Sequence, residues 1–118
     1  MLFNYTKAVA LLNAAQYDQA IPQFSIVIRV LPDFALAYHN RGLAYYHEEQ
    51  IDLALDDFSR AIELKPEYSD AYRNRGVVRL NDGDVVRGIA DLRRALEIFE
   101  SEGDLVKAAD VRRLLVGN

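Results

Sequence analysis

The 118-residue chain contains no cysteine. That excludes disulfides and thiolate metal sites together, and it fits the cytoplasmic location expected here. Long hydrophobic runs are missing too. No stretch approaches the roughly 18–20 apolar residues that cross a bilayer, so no membrane association is expected. Met1-Leu2-Phe3 leads into a helical pattern without the basic start and cleavage site of a signal peptide. Histidine is scarce, with only His39 and His47. On one helix they would stand about 12 Å apart, too far to share a metal ion. His47-Glu48-Glu49 lacks the second histidine of an H-E-x-x-H site. No Gly-rich phosphate loop, nucleophile elbow or Cys/His pair occurs. The expectation is therefore no enzyme, no cofactor and no metal. Positive charge is also in short supply. The net charge is −4, and residues 35–68 hold three basic against seven acidic side chains. Residues 1–34 balance to zero through Lys7 and Arg29 against Asp18 and Asp33. No segment is basic enough to hold a nucleic-acid backbone.

What the chain does have is a period of 34 residues. Tyr38-His39-Asn40-Arg41-Gly42 returns as Tyr72-Arg73-Asn74-Arg75-Gly76, and Pro32 returns as Pro66. Gly42 is followed by Ala54, Phe58 and Ala61 at the intervals at which Gly76 is followed by Gly88, Leu92 and Ala95. Ala8, Ala20, Phe24 and Val27 form a looser upstream copy. A fixed period of this length is the mark of a helical repeat array, whose units cannot bury their apolar faces alone and must stack.

Within each period the apolar residues fall at helical spacing. Tyr38, Leu43, Ala44 and Tyr45 belong to a first helix, and Ile51, Ala54, Leu55, Phe58, Ala61, Ile62 and Leu64 to a second. Between them, His47-Glu48-Glu49-Gln50 and Asn81-Asp82-Gly83-Asp84 read as turns. Pro66 ends the unit because its ring and missing N–H forbid continuation. Pro22, in or just after the first turn of its helix, is read as tolerated. The small pairs Ala8/Ala20, Gly42/Ala54 and Gly76/Gly88 mark helix crossings. Glu100 stands where Pro32 and Pro66 do, so the last second helix should run on toward Gly103. Leu105, Ala108, Val111 and Leu115 share one face of a final helix, with Lys107, Asp110 and Arg113 on another. The chain therefore reads as one domain, 1–118: repeats 1–34, 35–68 and 69–102, then a capping helix, 103–118. The carboxylates Asp52, Asp56 and Asp57 read as a solvated outer face.

Tyr38, Gly42, Tyr45, Ala54, Phe58, Ala61 and Pro66 resemble the tetratricopeptide repeat, whose pattern is a large aromatic, Leu-Gly, Tyr, Ala, aromatic, Ala and Pro. The third copy matches at Tyr72, Gly76 and Ala95, the first less closely, and Arg41 and Arg75 depart from the family's leucine. The resemblance implies an all-α, right-handed helical-repeat solenoid of three helix-turn-helix pairs plus a cap. It also implies a concave face lined by the first helices. The groove expected there holds Tyr5, Val9, Leu36, His39, Asn40, Leu43, Tyr46, Asp70, Arg73, Asn74, Val77 and Leu80. Asn40 and Asn74 either bond neighbours on their own helices or grip a ligand's backbone N–H and C=O. The implied function is a non-enzymatic adaptor for a protein or peptide segment. The family's clamp for the acidic C-terminus of heat-shock chaperones would fall on Tyr5, Val9, Asn40, Asp70 and Asn74. Only Asn40 matches, and Asp70 has the wrong sign, which argues against that ligand. Arg73, Arg75, Arg79, Arg87, Arg93 and Arg94 raise an RNA-binding alternative, against which interleaved acids point to local ion pairs. A second alternative is a self-assembling scaffold, a homo-oligomer formed through apolar ends. Ile26 stands where Arg60 and Arg94 do, Leu31 where Lys65 does, and Leu2 and Phe3 crowd the start.

Overall fold

The computed structural model describes residues 2–117. Seven helices fill it: α1 (Leu2–Asn13), α2 (Tyr17–Val30), α3 (Ala35–His47), α4 (Ile51–Leu64), α5 (Ser69–Asn81), α6 (Val85–Ser101) and α7 (Leu105–Val116). There is no strand among the described residues. The chain is all-α and has the helical-repeat organisation read from its period. The contacts divide it into two compact units, residues 1–65 and 66–118.

In the first unit α1 pairs with α2, α3 pairs with α4, and α3 also lies against α2 and α1. Ala8, Ala20, Phe24, Val27 and Ala37 form one buried cluster, with Tyr5, Val9, Leu12 and Phe34 packed on it. The small residues sit where the period places the crossings. A Cβ on Gly42 would come within 2.9 Å of the Phe58 ring and 3.3 Å of the Ala54 carbonyl oxygen, closer than a packed interior accommodates without shifts. α2 runs through Pro22, which leaves one intrahelical bond unmade without ending the helix.

In the second unit α6 packs against both α5 and α7. Leu92, Ala95 and Phe99 of α6 meet Ala108 and Val111 of α7 in a second buried cluster. Gly76 and Gly88 face each other so closely that a Cβ on either would lie 3.0 Å from the other's carbonyl oxygen. Without a proline at position 100, α6 extends to Ser101, and Gly103 at φ 75° makes the turn into α7.

The turns repeat with the helices. Gln16, Gln50, Asp84 and Asp104 each donate an N–H to the carbonyl five residues back, at 2.9, 2.9, 2.8 and 2.9 Å, closing a Schellman-type cap. That cap needs a left-handed residue one position earlier. Gly83 and Gly103 supply it in the second unit, while Ala15 (φ 59°) and Glu49 (φ 61°) must adopt it in the first.

One expectation is corrected. Asp57 is buried, not part of a solvated face. Its Oδ2 and Oδ1 accept from Arg41 Nε and Nη2 at 2.8 Å each. The same pair recurs one period later, with Arg75 Nε and Nη2 donating to Asp91 at 2.9 and 2.7 Å and Arg79 adding a third bond at 2.8 Å. The arginines that replace the family's leucine are thus each paired with an aspartate across the helix pair.

Candidate functional site

The strip expected in the first unit draws Tyr5 and Val9 from α1 and Leu36, Asn40, Leu43 and Tyr46 from α3, none of them charged, and Tyr5 and Asn40 meet directly. Tyr5 is held by its neighbours. Its ring centroid lies 4.9 Å from that of Phe34 and 6.1 Å, edge-on, from that of Phe24. Asn40 Nδ2 donates to the Tyr5 hydroxyl at 3.0 Å. Burial pushes the Tyr5 phenol above its ordinary pKa, and the Asn40 hydrogen bond only partly offsets this, so Tyr5 is a neutral phenol at physiological pH. The asparagine therefore reaches across to the neighbouring first helix. Leu36 is exposed, and Leu43 and Tyr46 are half-buried. His39 does not join the strip. It is buried and packs on Phe58 with ring centroids 5.7 Å apart, because its place on α3 turns it toward α4. At the C-terminal end of α3 His47 stacks on Tyr17, 4.5 Å apart and 11° from parallel.

The second unit's residues are differently engaged. Asp70 accepts from Lys107 Nζ at 3.3 Å. Arg73 donates through Nε to Asp110 Oδ2 at 2.9 Å and through Nη1 to Asn74 Oδ1 at 3.2 Å. Val77 and Leu80 pack into the α6–α7 cluster. A cleft of about 430 Å³ lies between α5 and α7, lined by Asp70, Arg73, Asn74, Val106, Lys107, Asp110 and Arg113. The residues contributed by α7 are absent from the sequence-derived groove. Their signal was the shared polar face of Lys107, Asp110 and Arg113, which reads as solvated when α7 is taken only as a cap. Instead α7 lines the cleft as a further first helix would.

Two more arginines of the RNA-binding set are engaged as well. Arg87 pairs with Asp84 and Arg94 with Glu97. Phe3, Ile26 and Leu31 are exposed as read, and the Leu2 side chain lies outside the described residues. No group of three metal-ligating side chains and no helix long and apolar enough to cross a membrane occurs among the described residues.

Residues 35–68 match the sequence pattern of the tetratricopeptide repeat. No curated protein sequence matches the chain. Among solved structures it is similar to MamA, residues 41 to the end, from Desulfovibrio magneticus RS-1, at 28% identity and a TM-score of 0.80. That likeness covers 83% of this chain but 55% of the other, so the chain spans little more than half the length of that relative. The first TPR of Spaghetti (RPAP3), solved bound to the HSP90 peptide SRMEEVD, is 25% identical, with a TM-score of 0.79 over 95% of this chain and 92% of that one. The TPR2B domain of yeast Sti1, at 18% identity and a TM-score of 0.91 over 96% and 90% of the two chains, shares the fold. Residues 35–68 are a tetratricopeptide repeat, and the helix pairs before and after it in the sequence have the same fold.

Proposed function

We propose that the chain is a non-enzymatic adaptor that binds a protein or peptide segment along the first helices α1 and α3, with the Tyr5–Asn40 strip as the central contact. The observation that carries this reading is the hydrogen bond between Asn40 and Tyr5 on an otherwise apolar surface. One amide hydrogen of Asn40 is used there. The second, with the carbonyl oxygen, suits the C=O and N–H of a ligand's backbone. Leu36, Leu43, Val9 and Tyr46 offer apolar contact on either side. An apolar strip with a few convergent polar atoms is the usual chemistry of a recognition site.

The Spaghetti domain, a structural relative solved with a bound peptide, supports peptide recognition as the type of function. Its peptide ends in clustered acids, and this chain is ill-suited to such a ligand. Tyr5 and Val9 stand where the family's clamp has polar or basic groups. In the second unit Asp70 and Asp110 already hold Lys107 and Arg73. The preferred ligand is a segment with apolar side chains. RNA is disfavoured because Arg73, Arg75, Arg79, Arg87 and Arg94 are all engaged by carboxylates.

Titration of an apolar peptide selected from a library tests this. Asn40→Ala should weaken binding several-fold, the loss of one hydrogen bond at about 0.5–1.5 kcal/mol, with little change in the melt. Glu63→Ala, on the exposed face of α4, should leave affinity unchanged. Equal affinity for both variants and the parent would remove the strip from the function.

A further inference from the structure

The α1–α2 pair has an edge that the later copies cover. Positions 3 and 10 of the period are Ala37 and Ala44 in the second copy and Ala71 and Val78 in the third, all four buried. In α1 the same positions are Phe3, 77% exposed, and Ala10, also exposed. On α2, Val30 is 58% and Ile26 37% exposed, and Leu31 just after it is 42% exposed. Ile26 replaces a residue that elsewhere is solvated and charged, since Arg60 pairs with Glu63 and Arg94 with Glu97. Apart from Ala10, these side chains lie toward the end of the pair where α1 starts and α2 finishes. Asn4 Nδ2 donates to Gln23 Oε1 at 3.2 Å, which sets the start of α1 beside the α2 stripe of Gln23, Ile26 and Val30. Next to this patch a hollow of about 350 Å³ is lined by Leu31, Pro32, Asp33 and Phe34.

We infer that this edge is a self-association surface whose occupant is the same edge of a second copy of the chain, related by a two-fold axis. Two features argue for that occupant. The patch is self-complementary, with a projecting phenyl ring and a hollow of a size to receive one at the same end of the same helix pair. In a two-fold arrangement each ring enters the partner's hollow and the contact closes. Charge points the same way. Residues 1–34 are net neutral, so two such edges meet without repulsion, whereas residues 35–68, at −4, would repel their own copy. The rival apolar surface, Leu105, Val106 and Val116 on α7, lies among Lys107, Arg112 and Arg113. It finds no excess of acid on the α1–α2 edge to draw it there. A contact of these few side chains falls below the roughly 800 Å² per partner of a standard interface, so the dimer is a weak one.

Sedimentation equilibrium from 1 to about 500 μM tests the inference, with folding checked by thermal melts. The parent should pass from monomer to dimer and no further, with a dissociation constant of about 100 μM, typical of contacts below standard size. Ile26→Arg installs the residue that the later copies bear at that position and should fold normally. It should weaken dimerisation at least tenfold, as should Phe3→Glu. Val106→Lys on α7 should leave it unchanged. A parent that stays monomeric throughout would overturn the proposal, as would an Ile26→Arg variant that still dimerises. Species larger than dimers, or a Val106→Lys variant that no longer associates, would point to head-to-tail stacking and overturn it too.

Discussion

At the scale of single residues, the chain's most consequential departure from the tetratricopeptide pattern is the arginine after Asn40 and again after Asn74. Each arginine is the fork of a bidentate pair with a buried aspartate, Arg41 with Asp57 and Arg75 with Asp91. Asp57 feels two opposed effects. Burial pushes its carboxyl above the ordinary value of 3.8, and the hydrogen bonds and charge of Arg41 pull it back without cancelling the rise. The guanidinium is held charged by the Asp57 hydrogen bonds. Breaking a buried pair from one side costs roughly 3–5 kcal/mol, because a charge is left desolvated and alone. Arg41→Met should therefore destabilise strongly at pH 7, and the Asp57 carboxyl should rise further once its counter-charge is gone. The sign of the pH dependence follows. A folded-state pKa above the unfolded one stabilises fully below the unfolded value and loses that contribution as pH rises through the folded value. The deficit of Arg41→Met should shrink as pH falls from 7 toward 4, and Arg41→Met with Asp57→Leu should recover much of it. Urea melts of the variants at several pH values check this, and a deficit independent of pH would mean that packing, not charge, is lost. The pair was legible in outline, since Arg41/Asp57 and Arg75/Asp91 share one spacing and one period. What hid it is that a run such as Asp56-Asp57 has the same composition whether it faces water or the core. Only the helix phase, with Asp57 beside Phe58 and Ala54 on the inner face, separates the two.

The helices themselves were the most legible part, because apolar spacing, the crossing glycines and alanines and the prolines all agree on the same boundaries. Pro32 and Pro66 follow helix ends, and Glu100 in their place lets α6 reach Ser101. The candidate site was less legible. Side-chain register on a first helix depends on which neighbour it faces, so Tyr5 and Asn40 came together while His39 turned inward. The polar face of α7 became the wall of a cleft because Ala108 and Val111 seat the helix on α6. Deleting residues 103–118 should accordingly do more than trim a tail. It strips Leu92, Ala95 and Phe99 of their cover and leaves Asp70 and Arg73 without Lys107 and Asp110. Helix ends of repeat arrays need a polar outer face. The truncated chain should melt at a lower temperature and aggregate at concentrations where the parent stays in solution. Circular dichroism melts and light scattering measure both, and an unchanged melt in a clear solution would make α7 dispensable.

For the molecule as a whole, charge is distributed so that each proposed contact has its own dependence on salt. The chain carries −4 overall with a pI near 5.1, yet its first 34 residues are neutral. Two copies approaching edge to edge feel no repulsion at the contact but a mutual repulsion from the acidic remainder. Such a long-range term is screened once the Debye length shrinks, from about 14 Å at 0.05 M to about 4 Å at 0.5 M ionic strength. The apolar contact is not weakened by simple salt. Dimerisation through α1 and α2 should therefore tighten by about two- to fivefold across that range, the size of effect expected from screened surface charge. Association through the cationic surface of α7 against the acidic second copy would loosen instead, because screening removes attraction. Peptide binding on the uncharged Tyr5–Asn40 strip should hardly respond when the peptide is neutral. Sedimentation and peptide titration run over the same salt series separate the three cases on one sample. A dimer that weakens as salt rises would place the contact on charged groups and exclude the α1–α2 edge.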